Sequence, residues 1–208
     1  MPNELKAQAM RERIVTAAVR VMGERGVTNT TTKEIAREAG VSEGSLYNHF
    51  ESKTALFGAA FGLVASGIRS AMQDLFAAVG EATLEDNLAQ FAASAIRFYG
   101  DLLPMTGSVL ADREVLGWLQ RTGRAAGLSQ GHAALVRYLQ AEQEVGRLGP
   151  QAQPAFLAAA LLGSCQHRAF ATLLAGPAAP EAPPGLDTDI DEYARQVVRT
   201  LLTSQVNM

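Results

Sequence analysis

The sequence predicts an all-α fold, a three-helix N-terminal helix-turn-helix unit followed by a larger helical unit. Three observations carry this expectation. Apolar residues recur at helical spacing along nearly the whole chain, no convincing period-two segment marks a strand, and Gly or Pro falls at plausible helix ends. The division expected is residues 1–57 for the first unit and 58–208 for the second.

The segment 31–57, TTKEIAREAGVSEGSLYNHFESKTALF, reads as two short helices, a tight turn and the start of a third. Thr31 and Glu34 have the spacing of a capping box, Ile35, Ala36 and Ala39 make one small apolar face, and Gly40 stops the helix. Ser42 caps the next helix. Val41 before that cap and Leu46 four residues after it are spaced as a hydrophobic staple, and Leu46 and Phe50 continue the buried stripe at i, i+4. Glu43, Gly44, Ser45, Tyr47, Asn48 and His49 are left facing outward.

That outward set suits a DNA duplex. A major groove admits an α-helix and offers donors, acceptors and thymine methyls to short polar side chains, while phosphates accept bonds from Tyr, His, Lys and helix N-termini. Gly44 lets the backbone come close. Ser52 caps a further helix whose first residue is Lys53, so a positive helix end and an ammonium point the same way. Thr31, Thr32, Ser42, Glu43, Gly44, Ser45, Tyr47, Asn48, His49 and Lys53 are therefore the candidate DNA-binding residues. On spacing alone a plain surface helix pair in an ordinary helical domain is equally open.

From Arg13 to Phe57 the residues are more specific than the spacing. Ile14, Ala17 and Ala18, then Gly26, Thr31, Ile35-Ala36, Ala39-Gly40-Val41-Ser42, Gly44, Leu46-Tyr47, His49-Phe50, Lys53 and Leu56 closely resemble the DNA-binding domain of the TetR family of bacterial transcriptional regulators. The resemblance covers roughly the first quarter of the chain. It implies that 43–49 is the recognition helix and that Tyr47, His49 and Lys53 hold the DNA backbone. Met22 stands where that family usually has an aromatic residue, and Val27 where Tyr or Phe is usual. Both positions are expected in the core, so they bear on packing and leave the DNA surface untouched.

Charge is a weak guide here. The chain holds 18 Lys and Arg against 21 Asp and Glu, net −3, of which residues 1–57 hold 8 and 7, net +1, leaving 10 and 14, net −4. So slight an excess implies weak non-specific binding, with affinity resting on well-placed contacts, on a doubled domain in a dimer, and on moderate salt dependence. A chain of 208 residues with 48% hydrophobic content can bury a sizeable core. The start MPNELKAQAM lacks the apolar stretch of a signal peptide, and the longest apolar run, 155–163, is too short to span a bilayer, so a cytoplasmic protein with no membrane partner is expected. The lone Cys165 excludes an internal disulfide.

Beyond Phe57 the pattern stays helical. A long helix is expected over 53–79, and another over 84–103, where Leu88, Phe91, Ala92, Ala95, Phe98, Tyr99 and Leu102 share one face before Pro104 blocks continuation. Two more fill 107–123 and 128–147, a fifth runs over 154–175, and a last over 187–204 after the loop GPAAPEAPPG, 176–185, which holds four of the eight prolines. The helix at 154–175 is apolar almost all round and must be covered on more than one side. The last helix carries Ile190, Tyr193, Ala194, Val197, Val198, Leu201 and Leu202 as a broad stripe. Paired with their symmetry mates, these two helices would form a four-helix dimer interface, the arrangement that the resemblance also implies. Leu161, Cys165, Arg168, Ile190, Tyr193, Val197 and Leu201 are the residues expected there, and packing within one chain is the competing reading.

The resemblance further implies a sensor site among residues 60–175, an apolar cavity for a small hydrophobic effector. Phe98, Tyr99, Trp118 and Tyr138 are candidate walls, and Arg113, Arg121, Gln166 and His167 candidate polar contacts, although aromatics at helical spacing are more often plain core. Gln166-His167-Arg168 interrupts an apolar helix and needs partners if buried, from a ligand or across a dimer, with the interface slightly favoured.

Enzymatic readings fare badly. Cys165 and His167 sit two apart on a helix and face different directions, and His49, His132 and His167 lack metal-ligand spacing. No catalytic residue, metal or cofactor is expected. The reading that results is a repressor that binds a palindromic double-stranded DNA operator as a homodimer and is released by a small molecule, with 58–208 as the effector-binding and dimerisation domain. The alternative is a helix-turn-helix used to dock a protein without touching DNA.

Overall fold

The computed structural model describes residues 2–107, 113–121, 126–176, 185–186 and 189–203, and among them there are nine α-helices and no strand. The helices are α1 (Pro2–Arg25), α2 (Thr32–Glu38), α3 (Glu43–Tyr47), α4 (Lys53–Ala77), α5 (Leu84–Thr106), α6 (Arg113–Arg121), α7 (Ala126–Glu144), α8 (Pro154–Ala175) and α9 (Ile190–Thr203). They divide into two compact units, Met1–Ser66 with Asp101–Arg121, and Gly67–Gly100 with Thr122–Met208. The sequence boundary after Phe57 falls inside α4, because Leu56, Phe57 and Ala60 of that helix complete the core of the first unit. Most of the proline-rich loop, 177–184, lies outside the described residues.

In the first unit, Ile14, Ala18 and Met22 of α1 meet Ile35 of α2, Leu46 of α3 and Leu56 of α4 in one core. Met22 and Val27, the two departures from the family pattern, are both buried in it. Met105 joins from the last turn of α5, and its carbonyl accepts from the Val27 N–H at 3.2 Å. Arg20 and Arg25 of α1 reach Glu38 and Glu34 of α2 at 2.7 and 2.9 Å. Both pairs are largely exposed, so they orient α2 more than they stabilise it.

Pro104, expected to end α5, lies inside it, and the helix runs on to Thr106. The ring removes one i→i−4 hydrogen bond, and with the helix ending two residues later little of it is left to disrupt. Thr106 Oγ1 donates to the Leu102 carbonyl at 2.9 Å and the Gly107 N–H to that of Leu103 at 2.9 Å, which closes the end. By length and composition alone, α4 could cross a membrane. It nevertheless gives Leu56, Phe57 and Ala60 to one core and Leu75 to the other unit, and it carries Arg69 and Asp74 exposed.

In the second unit α8 packs against both α7 and α9. Leu135, Leu139, Leu157, Ala158, Leu161, Cys165, Ala194 and Val198 are buried there. Arg97–Asp191 at 2.7 Å and Arg199–Glu85 at 2.6 Å join α9 to α5, and Tyr193 Oη donates to the Ser164 carbonyl of α8 at 3.2 Å. The α4–α5 turn is held by side chains. Asn87 Nδ2 donates to the carbonyls of Ala78 at 3.1 Å and Glu81 at 2.9 Å, and Arg147 donates to those of Glu81 at 2.9 Å and Ala82 at 2.8 Å. Ala82 has φ +48°, a left-handed conformation costly for a residue with a Cβ, and the bond from Arg147 helps hold it.

Candidate DNA-binding surface

Each end of the helix-turn-helix is fixed by its own sequence. Thr31 Oγ1 accepts from the Glu34 N–H at 3.2 Å while Glu34 Oε2 accepts from the Thr31 N–H at 3.0 Å, which completes the capping box. Donation from the Thr31 backbone, then from its hydroxyl, holds the Glu34 carboxyl below the ordinary carboxylate range, and Arg25 acts in the same direction. At the other end Gly40 takes φ +64°, its N–H donates to the Arg37 carbonyl at 3.1 Å, and the Val41 N–H donates to that of Ala36 at 2.9 Å. This is the paired closure that favours glycine one residue past a helix. The turn then aims α3, whose cap Ser42 Oγ accepts from the Ser45 N–H at 3.1 Å.

Helix α3 is shorter than the expected 43–49, ending at Tyr47, with Asn48 as its C-cap. Leu46 is fully buried and Val41 packs against the same core, so one edge is anchored and the other is free. Glu43, Gly44, Tyr47 and Asn48 are exposed, and Ser45 and His49 are half-buried. Not every candidate side chain is free. Thr31 and Ser42 use their hydroxyls as caps, and Thr32 is buried, giving its proton to Glu43 Oε1 at 2.6 Å with Tyr47 Oη 3.3 Å away. Lys53 Nζ donates to the Thr28 carbonyl at 3.3 Å, so the ammonium is set against the loop between α1 and α2. Arg11 lies over the Phe50 ring at 4.9 Å, a cation that the motif did not single out.

Among the described residues, neither open space is lined by the residues expected at a sensor site. Tyr138 is core, its hydroxyl accepting from Asn87 Nδ2 at 3.3 Å, and burial pushes its pKa well up. Tyr99 is buried too, its pKa raised by burial, with Phe98 half-buried and the two ring centroids 5.4 Å apart. Arg113 and Arg121 are exposed on α6, whereas the side chain of Trp118 lies outside the described residues. Gln166 and His167 are exposed on α8. A different place is open: a cleft of about 290 Å³ between the last turns of α4 and the first of α5, with Asp74 and Asn87 in its lining. An apolar void of about 10 Å³ beside Leu139, Leu161 and Leu201 is too small for a ligand.

The expected dimer residues also need correction. Leu161 and Cys165 are buried inside the second unit, Cys165 Sγ lying 3.6 Å from the Ala92 carbonyl, so they cannot also face a partner. Arg168, Ile190, Tyr193, Val197 and Leu201 are half-buried, and Arg168 lies over the Tyr193 ring at 5.7 Å. The open stripe of α8 runs instead through Phe156, Ala160, Gly163, His167, Phe170 and Leu174, spaced four and three residues apart. The spacing was visible in the sequence. An all-round apolar helix offers several such stripes and does not say which is covered.

A capped helix-turn-helix with a free polar edge, carried in one chain with a second all-helical unit, is the frame of a helix-turn-helix regulator. The family model of the bacterial regulatory proteins of the tetR family matches residues 14–60, and that of the AefR-like transcriptional repressor C-terminal domain matches residues 86–204. The chain belongs to the TetR family of bacterial transcriptional regulators.

It is 40% identical over 63 residues to the HTH-type transcriptional regulator AcrR of Shigella flexneri, covering 30% of this chain and 29% of that one. It is 48% identical over 52 residues to the HTH-type transcriptional repressor BepR of Brucella suis, 25% of each chain. These matches span only about a quarter to a third of the curated relatives' length. The fold is shared more widely. The TetR family regulator PfmR of Thermus thermophilus superposes with a TM-score of 0.68 at 20% identity, covering 92% of this chain and 97% of that one. The regulator FadR of Bacillus subtilis, solved in complex with stearoyl-CoA, superposes with a TM-score of 0.64 at 18% identity and the same coverage.

Proposed function

We propose that the protein is a transcriptional repressor that binds a palindromic DNA operator as a homodimer and leaves it when a small molecule occupies the second unit. The outer edge of α3 carries the reading: Glu43, Gly44, Tyr47 and Asn48 are exposed on a helix whose other edge is locked by Leu46 and whose start is capped by Ser42. In this reading Ser45 and Asn48 address base edges, while Tyr47, His49 and Lys53 hold phosphates. A helix of five residues reads few base pairs, and two-fold pairing doubles the site.

The α8 stripe supports the dimer. Phe156 and Leu174 are 73% and 71% exposed, with Phe170 between them, and large apolar side chains left open along one helix face favour association with a second copy. The protein-docking alternative is not favoured, because the matched relatives are named as transcriptional regulators or repressors. We also read the chain as non-catalytic and cytoplasmic. Burial pushes the Cys165 thiol up to about 12, leaving no thiolate for nucleophilic chemistry, and His132 Nε2 lies 3.2 Å from the Ala155 carbonyl.

Footprinting tests the reading. Purified protein on DNA upstream of its own gene should protect two half-sites centred roughly 34–36 Å apart. A stable dimer that retards none of that DNA would refute it.

A further inference from the structure

The cleft between α4 and α5 has a chemistry of its own. Asp74 is the one charged residue in its lining and has no ion-pair partner among the described residues. Low-dielectric walls around an uncompensated carboxylate concentrate its field and draw cations in. Asn87 has a fixed orientation. The carbonyls of Ala78 and Glu81 can only accept, so the atom facing them is Nδ2, and Oδ1 is left as a second acceptor. Ser94 in the same lining gives its proton to the Gln90 carbonyl at 3.1 Å and keeps its oxygen lone pairs. Leu75 and Phe91, both buried, supply apolar wall.

A carboxylate, an amide oxygen and a hydroxyl oxygen form a set of acceptors that suits a group with several N–H donors and a positive charge. The volume, about 290 Å³, is at the lower end for ligand sites and admits one ring or a short chain beside that group. A long acyl chain has no matching wall here.

We propose that this cleft is the effector site and that its ligand is a small organic cation, a primary ammonium or amidinium on a short apolar body. This deepens the repressor reading and rests on it for the effector role. The site is wired to its surroundings through Asn87, which also bonds to Tyr138 of α7 and to the α4–α5 turn. A ligand engaging Asn87 Oδ1 therefore acts on the group that fixes the end of α4.

The test uses three probes of one shape, 2-phenylethylammonium, 2-phenylethanol and phenylacetate, titrated calorimetrically into the full-length protein. The ammonium should bind saturably and about tenfold or more tightly than the alcohol, the worth of a charge-assisted bond, with no saturable binding of the anion. Asp74→Asn, at an exposed position, should erase the difference between ammonium and alcohol. Ser70→Phe, which fills the cleft from an exposed position on α4, should remove binding of both. Operator retardation run in parallel separates the two levels. If wild type and Asp74→Asn both bind the operator but the ammonium binds no better than the alcohol, or equally well to Asp74→Asn, the cleft proposal fails and the repressor reading stands. If the ammonium binds as expected without weakening operator binding, the effector role is overturned. If neither protein binds DNA, the repressor reading falls first.

Discussion

Tyr47→Phe tests the outer edge of α3 at the level of a single proton. The Thr32 hydroxyl gives its proton to Glu43 Oε1 at 2.6 Å, because a carboxylate only accepts. Tyr47 Oη, 3.3 Å from the same Thr32 oxygen, must then be the donor in that contact. The bond is long and the ring is 48% exposed, so the phenol proton is free to turn outward when a phosphate arrives. DNA binding thus exchanges a neutral bond, worth about 0.5–1.5 kcal/mol, for a charge-assisted one worth about 1.5–3 kcal/mol. The difference, about 1–1.5 kcal/mol, is what Tyr47→Phe should cost, roughly five- to tenfold in Kd, on operator and unrelated DNA alike. Thr32→Val keeps the shape and removes the internal acceptor. In that background Tyr47→Phe should cost the whole charge-assisted bond, about 1.5–3 kcal/mol. Fluorescence anisotropy with labelled duplexes at one salt concentration, run on the four proteins of the cycle, measures the coupling directly. Equal costs in both backgrounds, or a loss confined to the operator, would refute the exchange.

Phe170→Glu, at a surface position of α8, should leave the melting temperature nearly unchanged while converting the dimer to monomer in sedimentation equilibrium; a dimer that survives it moves the interface off this stripe. Leu46→Ala should destabilise the first unit by about 2–5 kcal/mol, since the side chain is fully buried, and a loss under about 1 kcal/mol in chemical denaturation would mean that α3 is not anchored as described. Cys165, buried and with its thiol raised to about 12, should resist a disulfide reagent in the native protein and react once unfolded, whereas immediate native labelling would place it outside the core. Glu34 has a depressed pKa in the folded state, so its contribution to stability is fully present above the ordinary carboxylate range and is lost as pH falls through the folded value; Glu34→Gln should flatten the acid limb of a melting-temperature profile, and an unchanged limb would show that the capping box carries no linkage.

The sequence carried the helix-turn-helix almost in full because its determinants act within a few residues. The capping box Thr31–Glu34, the left-handed Gly40 and the staple from Val41 to Leu46 depend on local spacing alone, and each is present where expected. Helix existence beyond Phe57 was equally legible from the periodicity. Ends and pairings were not. Pro104 reads as a breaker because nothing in the local sequence shows that Thr106 and Gly107 close the turn around it. Thr32 reads as a candidate DNA-binding residue because nothing in the chain says that Glu43 and Tyr47, eleven and fifteen positions on, close over its hydroxyl.

The same distinction explains why α8 misled and why the cleft was missed. Around an apolar helix every stripe is hydrophobic enough to be inside, so the choice belongs to its neighbours. Burial of Leu157, Leu161 and Cys165 inside the second unit, with the Cys165 sulfur against α5, leaves the Phe156–Phe170–Leu174 side uncovered. In the cleft the order is reversed, since Asp74 and Asn87 are unremarkable in sequence and become a pair only when α4 and α5 turn back on each other. What holds that turn is Asn87 itself, through Ala78 and Glu81. Replacing Asn87 would therefore disturb the frame along with any ligand, which is why Asp74, exposed and with no ion-pair partner for its carboxylate among the described residues, is the residue at which recognition can be separated from folding.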